Sequence, residues 1–186
     1  MGIYEYTAID DCSRFRMMYT YKRRTVKNSI DFLNRLLEQM PFPIQRVQTD
    51  RGKAFFAYSF QKQLKEYGIK FKPIKPRSLH LNGKAERSHQ TDLIEFYMKA
   101  DLKDKNLNDQ LEQWQFHYNW HRPHSSLNGK TPMDILVEKS AKTPLGEDIS
   151  SKYKPENEPY RMQNYQDDLK NLRLLKKQNN AILKAT

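Results

Sequence analysis

Two acids in this 186-residue chain stand where an α/β protein can do phosphate chemistry. Asp50 follows the strand-like run from Ile44 to Thr49 and opens the turn Asp50-Arg51-Gly52. The carboxyl end of such a strand is where α/β sheets place their functional groups. Glu86 falls in the first turn of a helix expected from about Gly83 to Lys99. Taken singly, they read as a turn acid and as a helix N-terminal acid favoured by the dipole. Their surroundings say more. Thr49-Asp50-Arg51-Gly52 joins a strand to a tight turn in which Gly52 can supply a backbone conformation closed to other residues. His80-Leu81-Asn82-Gly83-Lys84-Ala85-Glu86-Arg87 sets an acid among basic and amide groups. Phosphodiester chemistry needs that mixture. Carboxylate oxygens suit Mg²⁺ and leave positions open for phosphate and water. Two ions ~3.5–4 Å apart can activate a nucleophile and stabilise a leaving oxygen, while Lys and Arg hold a nucleic-acid backbone. Lys84, Arg87 and Gln90 lie on or beside the face of Glu86 and are candidates for DNA contact, with an ordinary wet helix face as the alternative. Asn82, with His80, belongs to the preceding loop and can shape the ground near the metals.

The elements that must position these residues follow from patterning. Residues 3–10 and 14–21 read as strands rich in β-branched and aromatic residues, joined at Asp10-Asp11-Cys12-Ser13 as a hairpin. A helix is expected from Thr25, a good N-cap, to Met40, with Val26, Ile30, Leu33, Leu36, Leu37 and Met40 at helical spacing. Pro41 and Pro43 stop it. After the strand 44–49 come a helix from Tyr58 to Tyr67 closed by Gly68, a strand 69–74, a Pro-rich loop, the helix of Glu86, and a helix from Leu107 to Trp120. The order is that of an α/β fold with an antiparallel opening and parallel crossovers. Residues 1–140 make one domain; residues 141–186 form a basic, polar tail in which Leu169, Leu172, Leu175 and Ile182 can mark one helix.

Composition narrows the function classes. Lys and Arg number 33 against 22 Asp and Glu, a net charge of +11, which points to a polyanionic partner, nucleic acid first. One cysteine, Cys12, excludes a disulfide framework and a Cys-based zinc site. No apolar run reaches the ~18 residues of a membrane span and no signal peptide is visible, so the expectation is a soluble, intracellular protein. His117, His121 and His124 carry a zinc-like spacing, but Pro123 breaks the helix and no further ligand completes the set. Trp114, Tyr118 and Trp120 read as packing residues, and Lys22-Arg23-Arg24 as a phosphate contact or a solvated turn.

Several motifs in order resemble one family. Val47-Gln48-Thr49-Asp50-Arg51-Gly52, then Gly68-Ile69, then Leu81-Asn82-Gly83-Lys84-Ala85-Glu86-Arg87 resembles the integrase catalytic core, of Asp-Asp-Glu type, of bacterial insertion-sequence transposases, related to retroviral integrases. The 35 residues between Asp50 and Glu86 match that family's spacing. Ile9-Asp10-Asp11-Cys12-Ser13-Arg14 is similar to its early hairpin, and Tyr118-Asn119-Trp120-His121-Arg122-Pro123-His124-Ser125-Ser126-Leu127 with Gly129-Lys130-Thr131-Pro132 to its closing signature. The resemblance covers roughly residues 3–137. It implies a ribonuclease H-like mixed sheet flanked by helices, Asp50 and Glu86 as catalytic ligands of Mg²⁺ or Mn²⁺, DNA strand cleavage and strand transfer, and a homodimer or higher oligomer acting on element ends and target DNA.

The chain departs from the pattern at its start. The family's first catalytic Asp lies on a central strand ahead of the hairpin, and only Met1, Gly2, Ile3 and Tyr4 precede Glu5 here. The resemblance therefore implies a sheet lacking its first, central strand, with edges left unpaired, and little or no activity of this chain alone. Asp10 is the nearest substitute, though its place in the family is not a ligand's. A DNA-binding fragment that modulates a full-length transposase is the alternative reading. A ribonuclease H-type nuclease and a non-enzymatic basic interaction protein fit less well, because neither explains both the closing signature and the Asp50–Glu86 spacing. The tail from about Ala141 matches no motif and reads as an extension or as out-of-frame sequence.

Overall fold

The computed structural model describes residues 2–75 and 83–185, with side chains placed at all of these but 84, 85, 165, 172 and 178–185. The chain divides into two compact units, Met1–Pro43 with His80–Leu145 and Ile44–Leu79 with Gly146–Thr186. Among the described residues, four strands form two separate two-stranded sheets, one in each unit.

The first unit opens with the hairpin of β1 (Tyr4–Ile9) and β2 (Arg16–Tyr21), antiparallel with Tyr4 opposite Tyr21 and Ile9 opposite Arg16. Asp10 builds its turn. One oxygen, Oδ2, accepts from the amides of Cys12 and Ser13 and from the Ser13 hydroxyl, while Arg14 takes φ 64° so that its amide reaches Asp10 O at 3.0 Å. A non-glycine residue in that region is uncommon, and the turn's hydrogen bonds hold it there. Helix α1 (Val26–Gln39) is capped by Thr25, whose side chain accepts from the Asn28 amide, and buries Ser29, Phe32, Leu33 and Leu36. Leu37, expected on that face, is exposed, because Phe32 fills the hydrophobic stripe instead.

The outer edge of β2 is closed by side chains. In α5 (Leu107–Trp120), the Asn119 amide accepts from Arg16 N at 3.0 Å and donates to Arg16 O at 2.8 Å. Gln115 accepts from Met18 N, and Asn108 accepts from Thr20 N and donates to Thr20 O. Every second residue of β2 thus meets an amide where another strand would have supplied a backbone group. Beneath this seam the Arg16 side chain is fully buried. It pairs with Asp92 at 2.6 Å, donates to Ser88 Oγ at 2.8 Å and lies 3.3 Å from the centre of the Tyr118 ring. Ser88 and Asp92 belong to α4 (Gly83–Asp92), which packs on β1 and runs on as a single π-helical turn, Leu93–Tyr97, before the expected end near Lys99. Glu95 on that turn makes a two-pronged contact with Arg122 at 2.9 and 2.6 Å. Trp114 donates to Asp92 and Tyr118 is buried, as packing residues should be, whereas Trp120 is 46% exposed against Phe116. The closing signature forms a short turn and then α6 (Pro132–Lys139), which starts with a Thr131–Asp134 capping box.

The second unit pairs β3 (Arg46–Thr49) with β4 (Lys70–Pro73) in parallel, Thr49 opposite Pro73. Between them run a four-residue helix α2 (Lys53–Phe56) and α3 (Tyr58–Glu66), whose end is closed by Gly68 at φ 67°. Phe60, Leu64, Ile69 and Phe71 form the core. The tail is folded onto this unit through α7 (Gly146–Lys152) and α8 (Tyr165–Ala185). Gln61 brackets the Arg161 backbone, accepting at 2.7 Å and donating at 2.9 Å, and Tyr58 packs on Tyr160. Such contacts join residues 158–168 to the second unit. Among the described residues, no helix is long and apolar enough to cross a membrane.

Two outcomes follow. Asn119→Ala should destabilise the first unit by on the order of 2–4 kcal/mol, since two buried backbone groups of Arg16 lose their partners, and urea unfolding would register it. Glu95, held below the usual carboxylate range chiefly by its hydrogen bond to Arg122, contributes stability that is present above the ordinary Glu value and lost as pH falls through the lower folded value. The stability gap between the chain and Glu95→Gln should therefore close as pH drops below about 4.3; a gap that stays constant down to acid pH refutes it.

Candidate functional site

Asp50 directly follows β3, with its side chain exposed to solvent. Its Oδ1 accepts from the Gly52 amide at 2.9 Å, which fixes the carboxylate at the turn. Gly52 has φ −60° and ψ 137°, conformations open to any residue, so the expected need for a glycine-only backbone is not met. The need is steric instead: a Cβ on Gly52 would stand 2.9 Å from Asp50 Oδ1. Patterning cannot separate these two reasons for a glycine, because both place it in a turn.

Arg51 is tied down by the tail. Its guanidinium donates to Met162 O at 2.6 Å and to Gln163 O, and pairs with the buried Asp168 at 3.1 Å. Gln163 returns a hydrogen bond to Arg51 O at 3.2 Å, and Arg51 lies over the Phe56 ring at 4.6 Å. Nearby, Glu158 of the same segment pairs with Lys70 at 2.9 Å and with Arg161 at 3.1 Å. The turn that presents Asp50 is thus braced from residues more than a hundred positions later in the chain. No motif in the tail signalled this; the signal available was the acidic pair Asp167-Asp168 at the start of a helical pattern.

Glu86 stands in the first turn of α4 in the other unit, exposed. Arg87 and Gln90 are exposed on the same helix, while Ser88 and Asp92, one turn apart, face inward to Arg16. Asn82 lies outside the described residues, as does the side chain of Lys84. Asp10, the nearest substitute for an additional ligand, is engaged in its turn through Oδ2. His117 and His121 sit among aromatic rings and His124 is buried against Tyr118, its ring nitrogen 3.3 Å from Tyr118 O. Among the described residues, the group that could hold a cation is a different one: Glu5, His89 and Asp92. Sequence reasoning passed over it, because a strand residue at position 5 meets helix positions 89 and 92 only in three dimensions.

Comparison with known proteins places the chain. Two family models, both described as integrase core domain, match residues 2–78 and 67–132, together spanning residues 2–132. The ORF3 product of Spiroplasma virus SpV1-C74, whose name marks it as an integrase candidate, is 30% identical over 151 residues, 72% of this chain. The chain spans 41% of that relative's length. Among solved structures, the catalytic core domain of BIV integrase superposes with a TM-score of 0.60 at 18% identity, covering 74% of this chain and 88% of that one. A chain of the simian T-cell lymphotropic virus intasome, solved with PP2A regulatory subunit B56 gamma, gives 0.61 at 19% identity over 70% of this chain and 47% of its own. At these identities the likeness establishes the fold, which is the ribonuclease H-like fold of integrase cores. With its matched segments running through both units, the chain belongs to the integrase core domain family.

Proposed function

We propose that this chain is the core of an enzyme of DNA integration or transposition, in which Asp50 and Glu86 each give a carboxylate to a divalent cation, Mg²⁺ or Mn²⁺. The observation that carries the reading is the Asp50 turn: a carboxylate at the end of a parallel strand, exposed and fixed by one backbone amide, with a glycine leaving it room. Both acids offer hard oxygen donors on the protein surface, which fits a cation that keeps part of its water shell. When bound, such ions lower the pKa of a coordinated water and neutralise charge on the phosphate.

The chain's own residues supply placement. Gly52 N–H holds Asp50, and the tail's grip on Arg51 keeps the turn from swinging. Arg87 and Gln90, with Lys84 and Asn82 of the same motif, contact the DNA backbone. In the reaction, water attacks a phosphodiester at an element end, the bond from phosphorus to the 3′-oxygen breaks, and a 3′-hydroxyl is freed. That hydroxyl then attacks a target phosphodiester in line and displaces a second 3′-oxygen, so no covalent protein–DNA bond is required. Positioning and charge stabilisation carry most of the rate. The partners are element ends and target DNA, and the assembly is a homodimer or a higher oligomer.

Strand transfer on a labelled oligonucleotide with Mg²⁺ or Mn²⁺ tests this, with the chain assayed beside a version extended upstream by its reading frame. Asp50→Asn and Glu86→Gln should each reduce transfer by about 100-fold or more, ~2.7 kcal/mol of transition-state stabilisation. Gly52→Ala should lower it as well, because the new methyl displaces Asp50 Oδ1. Metal-dependent transfer that survives both acid substitutions sinks the assignment, and DNA binding without transfer in either version favours a binding fragment that modulates a longer transposase. Affinity for duplex DNA should fall steeply with salt, and Arg87→Ala should reduce the slope of log K against log salt by about 1; an unchanged slope removes Arg87 from the interface.

A further inference from the structure

The first unit holds a second constellation of ligand atoms that the proposed chemistry does not use. Glu5 on β1 is nearly buried, its side chain 12% exposed, and its Oε1 lies 3.0 Å from His89 Nδ1 on α4. One turn further along the helix, Asp92 is almost fully enclosed. One potential ligand atom from each of these three residues lies within 4.8 Å of the others.

Glu5 and Asp92 bring two carboxylates, which face the permanent charge of the buried Arg16 guanidinium and the His89 imidazole, whose pKa is raised chiefly by its hydrogen bond to Glu5. Tyr97, Tyr118 and Trp114, packed around them, bring no cation. Asp92 Oδ1 is occupied twice, by Arg16 at 2.6 Å and by Trp114 Nε1 at 2.9 Å. Its other oxygen, Oδ2, is buried and has no hydrogen-bond partner among the described residues. A buried carboxylate oxygen left bare is costly unless something satisfies it.

We infer that Glu5, His89 and Asp92 form a binding site for a first-row divalent cation, zinc in preference to magnesium, separate from Asp50 and Glu86. The donor mix decides the preference. One imidazole nitrogen with two carboxylate oxygens suits Zn²⁺ and its neighbours, whereas Mg²⁺ keeps to oxygen ligands and water. Ligand atoms ~2.0–2.2 Å from a zinc ion stand roughly 3–3.5 Å apart, so side-chain rotations suffice to close the set. His89 is half exposed, which leaves an entry path and room for water in the remaining position. Arg16 stays on Asp92 Oδ1 and serves as the outer partner that orients the carboxylate. A cation here ties β1 to the helix that carries Glu86 one turn before His89.

Cobalt titration of the full chain carrying Asp50→Asn and Glu86→Gln tests the site, since the other two carboxylates then contribute nothing. One Co²⁺ per chain should bind, with the visible absorption of a low-coordinate nitrogen–oxygen site, and Zn²⁺ should displace it while Mg²⁺ in large excess does not. Adding His89→Asn should abolish the absorption, and Glu5→Gln should weaken binding by at least about tenfold. Circular dichroism on each variant confirms that the half-exposed His89 can be changed without unfolding; Asp92 is left in place because it neutralises Arg16. An absent cobalt signal at millimolar ion, a signal indifferent to His89→Asn, or displacement by Mg²⁺ as readily as by Zn²⁺ overturns the inference.

Discussion

The first unit depends on how an open strand edge is made safe. A two-stranded hairpin leaves one row of backbone donors and acceptors exposed on each side, and burying either row without partners is costly. Along β2 three amide side chains of α5, Asn108, Gln115 and Asn119, meet the backbone at Thr20, Met18 and Arg16. Helix and strand are thereby fixed in register, and the fixed register sets everything below it. Arg16 can be buried only because the same helix brings Tyr118 against its guanidinium face and Trp114 toward Asp92. Asp92 in turn fixes the inward face of α4, so that Glu86, Arg87 and Gln90 are left facing water. Breaking such a buried pair on one side is costly because it strands a charge, even though the intact pair adds little by itself.

In the second unit the same device recurs with different partners. Gln61 brackets the backbone of Arg161 as Asn119 brackets that of Arg16. The segment 158–168 supplies carbonyls and two carboxylates to Arg51, Lys65 and Lys70. A small parallel pair with one main helix has little apolar area of its own, and the tail adds Tyr153 and Pro159 beside Ile69 and Phe71. Arg51, the residue after Asp50, is consequently neutralised from within the chain by Asp168, which settles the loop geometry before any ligand arrives.

Much of this was legible in the sequence, for identifiable reasons. The four strands, α1, α3 and α5 fell within a residue or two of their expected bounds, because their apolar periods are clean and Thr25, Pro41 and Gly68 punctuate them. The family was legible because its motifs combine fixed spacing with residues of unusual chemistry at Asp50, Glu86 and the closing signature. Three kinds of feature were not. The short helix α2 and the capped α6 carry too few residues for a period to emerge. The amide seam is made of Asn and Gln, which look in one dimension like any solvated helix face, and the same holds for Gln61 and the tail. Glu5, His89 and Asp92 are hidden for another reason: nothing local links position 5 to positions 89 and 92, so only the packing of α4 on β1 reveals them. The expectation for Gly52 identified the right residue for the wrong reason, since the backbone there is ordinary and the space beside Asp50 is what glycine preserves.

The sealed edge of β2 gives the first sheet a direction of growth. On the β2 side the alternate backbone positions are occupied by amides that no incoming chain can displace without unseating α5. Extension is therefore confined to the β1 side, along Tyr4–Ile9. A guest segment there would meet a template with fixed parity: shifting by one residue exchanges the whole set of its side chains between the inner and outer faces. The hairpin thus behaves as a one-sided ruler, closed to promiscuous lengthening at one margin and selective, by alternation alone, at the other.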